Sequence, residues 1–192
     1  MSENTLTANK RFFTTKQLVL IPLMAVLIAV CSWISVPTEV PFTLQTFAVF
    51  CALWLLGGRN GFFAVLIYIL LGAVGVPVFA GFTGGVGIIL GTTGGYIVGF
   101  LVLALIYWLA EKIPVKGNIM RITVGVIALI VGTAACYAFG TAWFMKVYAS
   151  SVEAINLGTA LKWCVIPFIP FDLIKMAVAV ILCERLRKYV KD

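Results

Sequence analysis

From residue 17 onward the chain is a series of long apolar runs separated by short segments rich in glycine, proline or charge. Read by hydropathy, these runs predict membrane-spanning helices at about 17–36, 47–56, 61–73, 89–110, 122–145 and 164–183. The second and third are short and are separated only by GGRN at 57–60. Six helices of about 20 residues each would take roughly 120 residues and leave no room for a separate soluble domain. The predicted fold is therefore an all-α polytopic membrane protein, with residues 1–192 forming a single transmembrane domain.

Composition strengthens this reading and narrows the chemistry. Of the 192 residues, 62% are hydrophobic and 11% charged, more apolar surface than a soluble globule of this size can bury. There is no histidine, which removes imidazole acid–base catalysis and the commonest metal ligand. Neither an enzyme nor a metal site is expected. Cys31, Cys51, Cys136, Cys164 and Cys183 are scattered singly through apolar runs without C-x-x-C spacing, so packing is their expected role. No phosphate-binding loop of the G-x-x-x-x-G-K-[ST] kind is present, so any energy input must come from a partner chain.

A net charge of +7 would suggest nucleic acid in a soluble protein; here the bases flank apolar spans and set orientation in the lipid bilayer. With six spans both termini share a side. That side carries Lys10, Arg11, Lys16, Arg59, Lys112, Lys116, Arg121, Arg185, Arg187, Lys188 and Lys191, against Lys146 and Lys162 on the other. The positive-inside rule places both termini in the cytoplasm of a plasma-membrane protein. The IAVC stretch before Ser32 hints at a lipoprotein cleavage site, but Val30 is too bulky for it and further spans follow, so the segment is read as a helix.

The predicted outer segments are unusual. SVPTEVPFTLQTF at 35–47, GAVGVPVFAGFTGGVGIILGTTGGY at 72–96 and IPFIPFDLIK at 166–175 mix proline or glycine with aromatics. Irregular backbone at membrane depth survives where it is buried in protein or lines a cavity, so an outward-facing pocket is expected. The glycine-rich block between the third and fourth helices reads as a compact re-entrant loop or lid, with Phe79, Phe82 and Gly85 as ligand contacts. Gly91, Gly95 and Gly99, at i,i+4 spacing, are expected instead to let the fourth helix pack closely on a neighbour. Asp172 and Lys175 are the only oppositely charged pair inside an apolar run, and i,i+3 spacing puts them on one helix face. Each charge costs about 2.5 to 3.5 kcal/mol at the bilayer centre, so they are expected to face a cavity and a polar ligand. Pro170 and a first-turn Asp172 also suit a helix start. Thr43 and Gln45 add neutral polar groups or begin a helix; Tyr96 and Trp33 offer rings for stacking.

PFTLQTF at 41–47, GAVGVPVFAGFTGGVG at 72–87, GTTGGYIVGF at 91–100 and FDLIK at 171–175 together resemble the BioY family, the biotin-binding S components of energy-coupling factor (ECF) vitamin transporters. The resemblance spans the whole chain. It implies a six-helix protein that captures biotin from outside as its transported ligand, without a cofactor, and works with a transmembrane T component and two ABC-type ATPases. It also implies a biotin site built around Asp172 and Lys175, and a T-component contact through the A-x-x-x-A pair Ala25 and Ala29. Biotin suits the expected pocket, having a ureido ring, an apolar ring and chain, and a carboxylate. An S component for another vitamin, a stand-alone facilitator and a membrane enzyme are the competing readings. A cationic thiamine would favour an acid without a nearby lysine, and a water-filled channel would spread polar residues along several spans.

Overall fold

The computed structural model describes residues 13–38, 40–151 and 155–190; Lys10, Arg11 and Lys191, used above for orientation, lie outside the described residues. The first helix, α1 (Thr15–Trp33), starts where the sequence supplies a reciprocal cap. Thr14 Oγ1 accepts the Gln17 N–H at 3.3 Å, and Gln17 Oε1 accepts the Thr14 N–H at 3.0 Å.

After α1 the all-α expectation needs a small correction. Strands β1 (Ser35–Val36) and β2 (Phe42–Thr43) pair antiparallel, with Ser35 opposite Thr43 and Val36 opposite Phe42. The Leu44 N–H continues the ladder to Ile34 O at 3.1 Å. Where water is scarce, an irregular connection must satisfy its backbone groups internally, and this ribbon does so.

Helix α2 (Gln45–Ala73) is broken at Gly57, whose φ of 79° and ψ of 166° lie in a region that only glycine occupies without strain. The chain reverses there. Gln45 Nε2 donates to the Tyr68 hydroxyl at 3.0 Å across a separation of 23 residues, which continuous helix would hold roughly 35 Å apart. Gly61 sits so close to the first arm that a Cβ would stand 2.9 Å from Leu53 Cα. The two arms, 45–56 and 58–73, are thus an antiparallel pair, and they account for the short second and third runs of the hydropathy pattern. The Glu111 carboxylate accepts the Gly58 N–H at 2.5 Å and so caps the second arm from a neighbouring helix.

Residues 74–93 form the glycine-rich connection, with a Phe79–Thr83 bridge, a short 3-10 turn over Ala80–Phe82 and the one-turn helix α3 (Val86–Leu90). Helix α4 (Gly94–Glu111) then packs along α5 (Asn118–Ser151). Gly95 and Gly99 make that contact close: a Cβ on Gly95 would enter the Trp143 side chain, and one on Gly99 would lie 2.7 Å from Cys136 Sγ. Trp143 Nε1 donates to Gly91 O at 3.0 Å, but Gly91 lies before α4 at the end of α3, where a Cβ would meet the backbone of Gly87 and Ile88, so of the three glycines Gly95 and Gly99 alone make the close α4–α5 contact.

The chain ends in α6 (Leu157–Cys164), which hydropathy did not pick out, and α7 (Phe168–Val190), bent by 40° from each other. By length and composition α1, α2, α4 and α5 are each long and apolar enough to cross a membrane, and the bent α6–α7 pair makes a fifth if its two helices are one span. Helix α2 is central, packed on α1, α4 and α7.

The expectation for Ala25 and Ala29 is corrected. They are 1% and 5% exposed and lie on the inner face of α1 within the core shared with α2, whereas Val19, Leu23, Val26 and Val30 face outward. Small residues at i,i+4 let α1 approach the chain's own α2, so this pair offers no surface to a second chain.

Candidate functional site

A cavity of about 250 Å³ opens where the β2–α2 junction, the glycine-rich connection and helices α4, α5 and α7 converge. Its walls are mainly apolar; neutral polar groups are spread over β2, α2, the glycine-rich connection, α4 and α5, and the two charged residues both come from α7. Asp172 and Lys175, 3% and 8% exposed, form an ion pair there with Lys175 Nζ 2.9 Å from Asp172 Oδ1. Because α7 begins at Phe168, Asp172 lies beyond the first turn, and the helix-start reading of this pair does not apply.

Every proton of the Lys175 ammonium has an acceptor. Besides Asp172, it donates to Thr43 O at 2.7 Å and to Thr46 Oγ1 at 3.2 Å. Phe42 covers it, with Nζ 4.5 Å from the ring centroid, and is itself packed against Phe168 and Phe171. Asp172 in turn accepts from Thr46 Oγ1 at 2.8 Å and, through Oδ2, from the Tyr137 hydroxyl at 2.5 Å. Two charges held out of water are tolerable only when paired and fully hydrogen-bonded, and this network meets that condition. A carboxylate offers about four lone-pair sites, so some of the acceptor capacity of Asp172 is left for a ligand in the cavity.

Among the residues singled out in the sequence, Thr43, Gln45, Phe79, Tyr96, Asp172 and Lys175 all line this cavity, while Phe82 and Gly85 do not. Phe82 is 63% exposed and stacks on Trp33 with centroids 4.9 Å apart, so Trp33 is engaged outside the cavity as well. Thr43 also does what a helix start requires, its Oγ1 accepting the Gln45 N–H at 3.2 Å. Gln45 is held by Tyr68, and the Tyr96 hydroxyl lies 3.0 Å from Thr141 Oγ1, leaving the ring of Tyr96 for the cavity wall.

Thr46, Tyr137 and Phe42 were missed. The signal for Tyr137 was available: a tyrosine deep in an apolar span needs a partner for its hydroxyl, and few acceptors exist at that depth. Thr46 sat in view between Gln45 and Phe47, but only the convergence of α2 with α7 shows that it bridges both charges.

Phe79 is positioned by what lies beneath it. Its ring covers Gly72, where a Cβ would enter the ring, and meets Tyr68 edge-on at 5.6 Å. Gly72→Val is therefore expected to push Phe79 into the cavity at an overpacking cost of about 1 to 3 kcal/mol. Ligand titration of the purified variant should show weaker binding while Asp172 and Lys175 remain intact; unchanged affinity would mean that Phe79 does not shape the occupied site.

Comparison with known proteins agrees along nearly the full length. The model of the BioY family matches residues 3–192. The biotin transporter BioY of Thermotoga maritima is 40% identical over 176 residues, covering 90% of this chain and 96% of that one. The probable biotin transporter BioY of Pyrococcus horikoshii is 39% identical over 173 residues, with the same coverage of 90% and 96%. Among solved structures, the S component for biotin from an ECF-type ABC transporter superposes with a TM-score of 0.76 at 27% identity, covering 92% of this chain and 95% of that one. The four sequence blocks, the ion pair on α7 and the match over residues 3–192 thus agree, and the chain belongs to the BioY family.

Proposed function

We propose that this chain is the biotin-binding S component of an ECF-type ABC transporter, a multi-pass protein of the plasma membrane that captures biotin from the extracellular side. The carrying observation is the cavity itself: a buried Asp172–Lys175 pair whose carboxylate keeps acceptor capacity for a ligand, among apolar and aromatic walls, in a member of a family of biotin transporters. A bicyclic ligand with polar ends and an apolar middle matches that distribution. Transport, not catalysis, is the work of the family.

In this reading six segments cross the bilayer, namely α1, the two arms of α2, α4, α5 and the α6–α7 pair. Both termini lie in the cytoplasm, as the distribution of basic residues requires. The cavity then opens outward, and a T component with two ABC-type ATPases supplies the energy, this sequence carrying no G-x-x-x-x-G-K-[ST] loop. With Ala25 and Ala29 turned inward, the T component is expected to meet other residues of this chain.

Asp172, Lys175, Thr43, Gln45, Phe79 and Tyr96 make the biotin site, with Thr46 and Tyr137 holding the charged pair in place. Equilibrium binding of radiolabelled biotin to the purified chain, without ATP or partner proteins, tests this directly. Saturable binding that excess thiamine or riboflavin does not displace is expected. Displacement by either vitamin, or binding that requires the ATPases, would contradict the proposal.

A further inference from the structure

The opposite end of the bundle holds a second cleft that biotin capture does not use. It consists of two adjoining cavities of about 340 and 420 Å³, and Trp54, Glu111 and Arg187 line both. The charged groups around it are unequally engaged. Glu184 accepts from Arg121 at 2.8 Å and from Trp54 Nε1 at 2.7 Å, and Arg121 also donates to Asn118 Oδ1 at 2.7 Å. Glu111 accepts the Gly58 N–H that closes the α2 turn.

Arg187 is different. Its side chain is 17% exposed, yet among the described residues its one hydrogen bond is a 3.4 Å contact with Glu184, whose oxygens Arg121 and Trp54 already occupy. A guanidinium carries five N–H donors in a planar fork, and since none of the Arg187 nitrogens is sealed from solvent without a partner, most of that fork faces the cleft and is available to a ligand. Lys16 and Arg121 also line the cleft, with Arg121 already paired to Glu184 and Glu111 adding a carboxylate to both cavities, so Arg187 is the base with most donor capacity to spare; Ile113, Val115, Val124 and Ala128 make the adjoining wall apolar.

We propose that this cleft binds a phosphate group of uncompensated negative charge, that of an anionic phospholipid or free phosphate and not of a zwitterionic headgroup, with the Arg187 guanidinium as its principal donor. The fork geometry of arginine matches two phosphate oxygens at once. The side that charge asymmetry assigns to the cytoplasm is also where anionic phospholipid headgroups lie, and a basic pocket between helix ends suits them. An apolar wall beside the arginine would hold the glycerol and upper acyl chain of such a lipid, a contact that inorganic phosphate cannot make.

The test is thermal unfolding of the purified full chain in neutral detergent with phosphatidylglycerol, phosphatidylcholine or inorganic phosphate added. Phosphatidylglycerol is expected to raise Tm by roughly 5–10 °C more than phosphatidylcholine at about a hundredfold excess over Kd. Arg187→Gln should abolish that difference, and Arg185→Gln, a matched charge loss at an exposed position of the same helix that does not line the cleft, should keep it. An equal rise with inorganic phosphate, lost in Arg187→Gln, would support the site and identify free phosphate as sufficient. Equal effects of the two lipids with none from phosphate would overturn the proposal, as would a difference that survives Arg187→Gln or disappears equally in Arg185→Gln. If Arg187→Gln does not give a single monodisperse species, Arg187→Lys keeps the charge without the fork. It should retain less than half of the shift, and an undiminished shift would overturn the proposal.

Discussion

Asp172→Asn is expected to produce the largest single loss in this protein. Asn keeps the shape of Asp, and its oxygen can still accept from Thr46 and Lys175, while its amide can donate to a reversed Tyr137 hydroxyl. The hydrogen-bond connectivity therefore has a neutral equivalent, and what disappears is the charge. Lys175, 8% exposed, is then a buried cation without its counter-ion. Removing one partner of a buried pair costs about 3 to 5 kcal/mol of stability. A ligand donor that met the carboxylate also loses a charge-assisted hydrogen bond worth about 1.5 to 3 kcal/mol, an affinity loss of roughly 10- to 100-fold. Thermal unfolding and biotin titration of the same preparation separate the two effects. Wild-type affinity in a folded Asp172→Asn protein would remove the carboxylate from the binding site.

Lys175→Met should come second, and its combination with Asp172→Asn is the more informative variant. The single substitution strands the Asp172 carboxylate with only the Thr46 and Tyr137 donors and deprives Thr43 O of its partner. The double variant removes both charges, so neither is left uncompensated, and it should be more stable than the sum of the two single losses predicts. A coupling of about 0.5 to 3 kcal/mol is expected for residues in one network. Biotin binding should stay weak in the double variant, because restoring electrical neutrality does not restore the ligand contacts. Additive stability losses would mean that the two charges do not compensate each other.

Much of this architecture was legible in the residues because a bilayer demands long apolar runs and penalises buried charge. The break at Gly57 appeared as GGRN between two runs too short to cross alone, though only the Gln45–Tyr68 bond shows the arms lying side by side. Asp172 and Lys175 stood out because ionisable residues in a span need a reason to be there. What eluded the sequence depended on three-dimensional convergence. Hydropathy says nothing about which face of α1 turns inward, so Ala25 and Ala29 looked like a free surface until α2 was found against them. The same limit hid Thr46 and Tyr137, whose roles arise where α2 and α5 meet α7. Phe82 and Gly85 belong to a loop whose composition marked the whole stretch, while the fold turns only part of it, including Phe79 and Thr83, toward the cavity. The short β1–β2 ribbon and α6 were invisible for a plainer reason: both are too brief to leave a hydropathy signal.

The central claim is that biotin occupies the cavity bounded by α2, α4, α5 and α7 and is held at the Asp172–Lys175 end. Determining the structure of the purified protein with biotin bound tests it most directly. The account predicts ligand density in that cavity, with a polar atom of biotin within hydrogen-bonding distance of Asp172 or Lys175 and its rings against Phe79 or Tyr96. Biotin bound elsewhere, whether in the opposite cleft beside Arg187 or on the lipid-facing surface, with the outer cavity unoccupied, would contradict it.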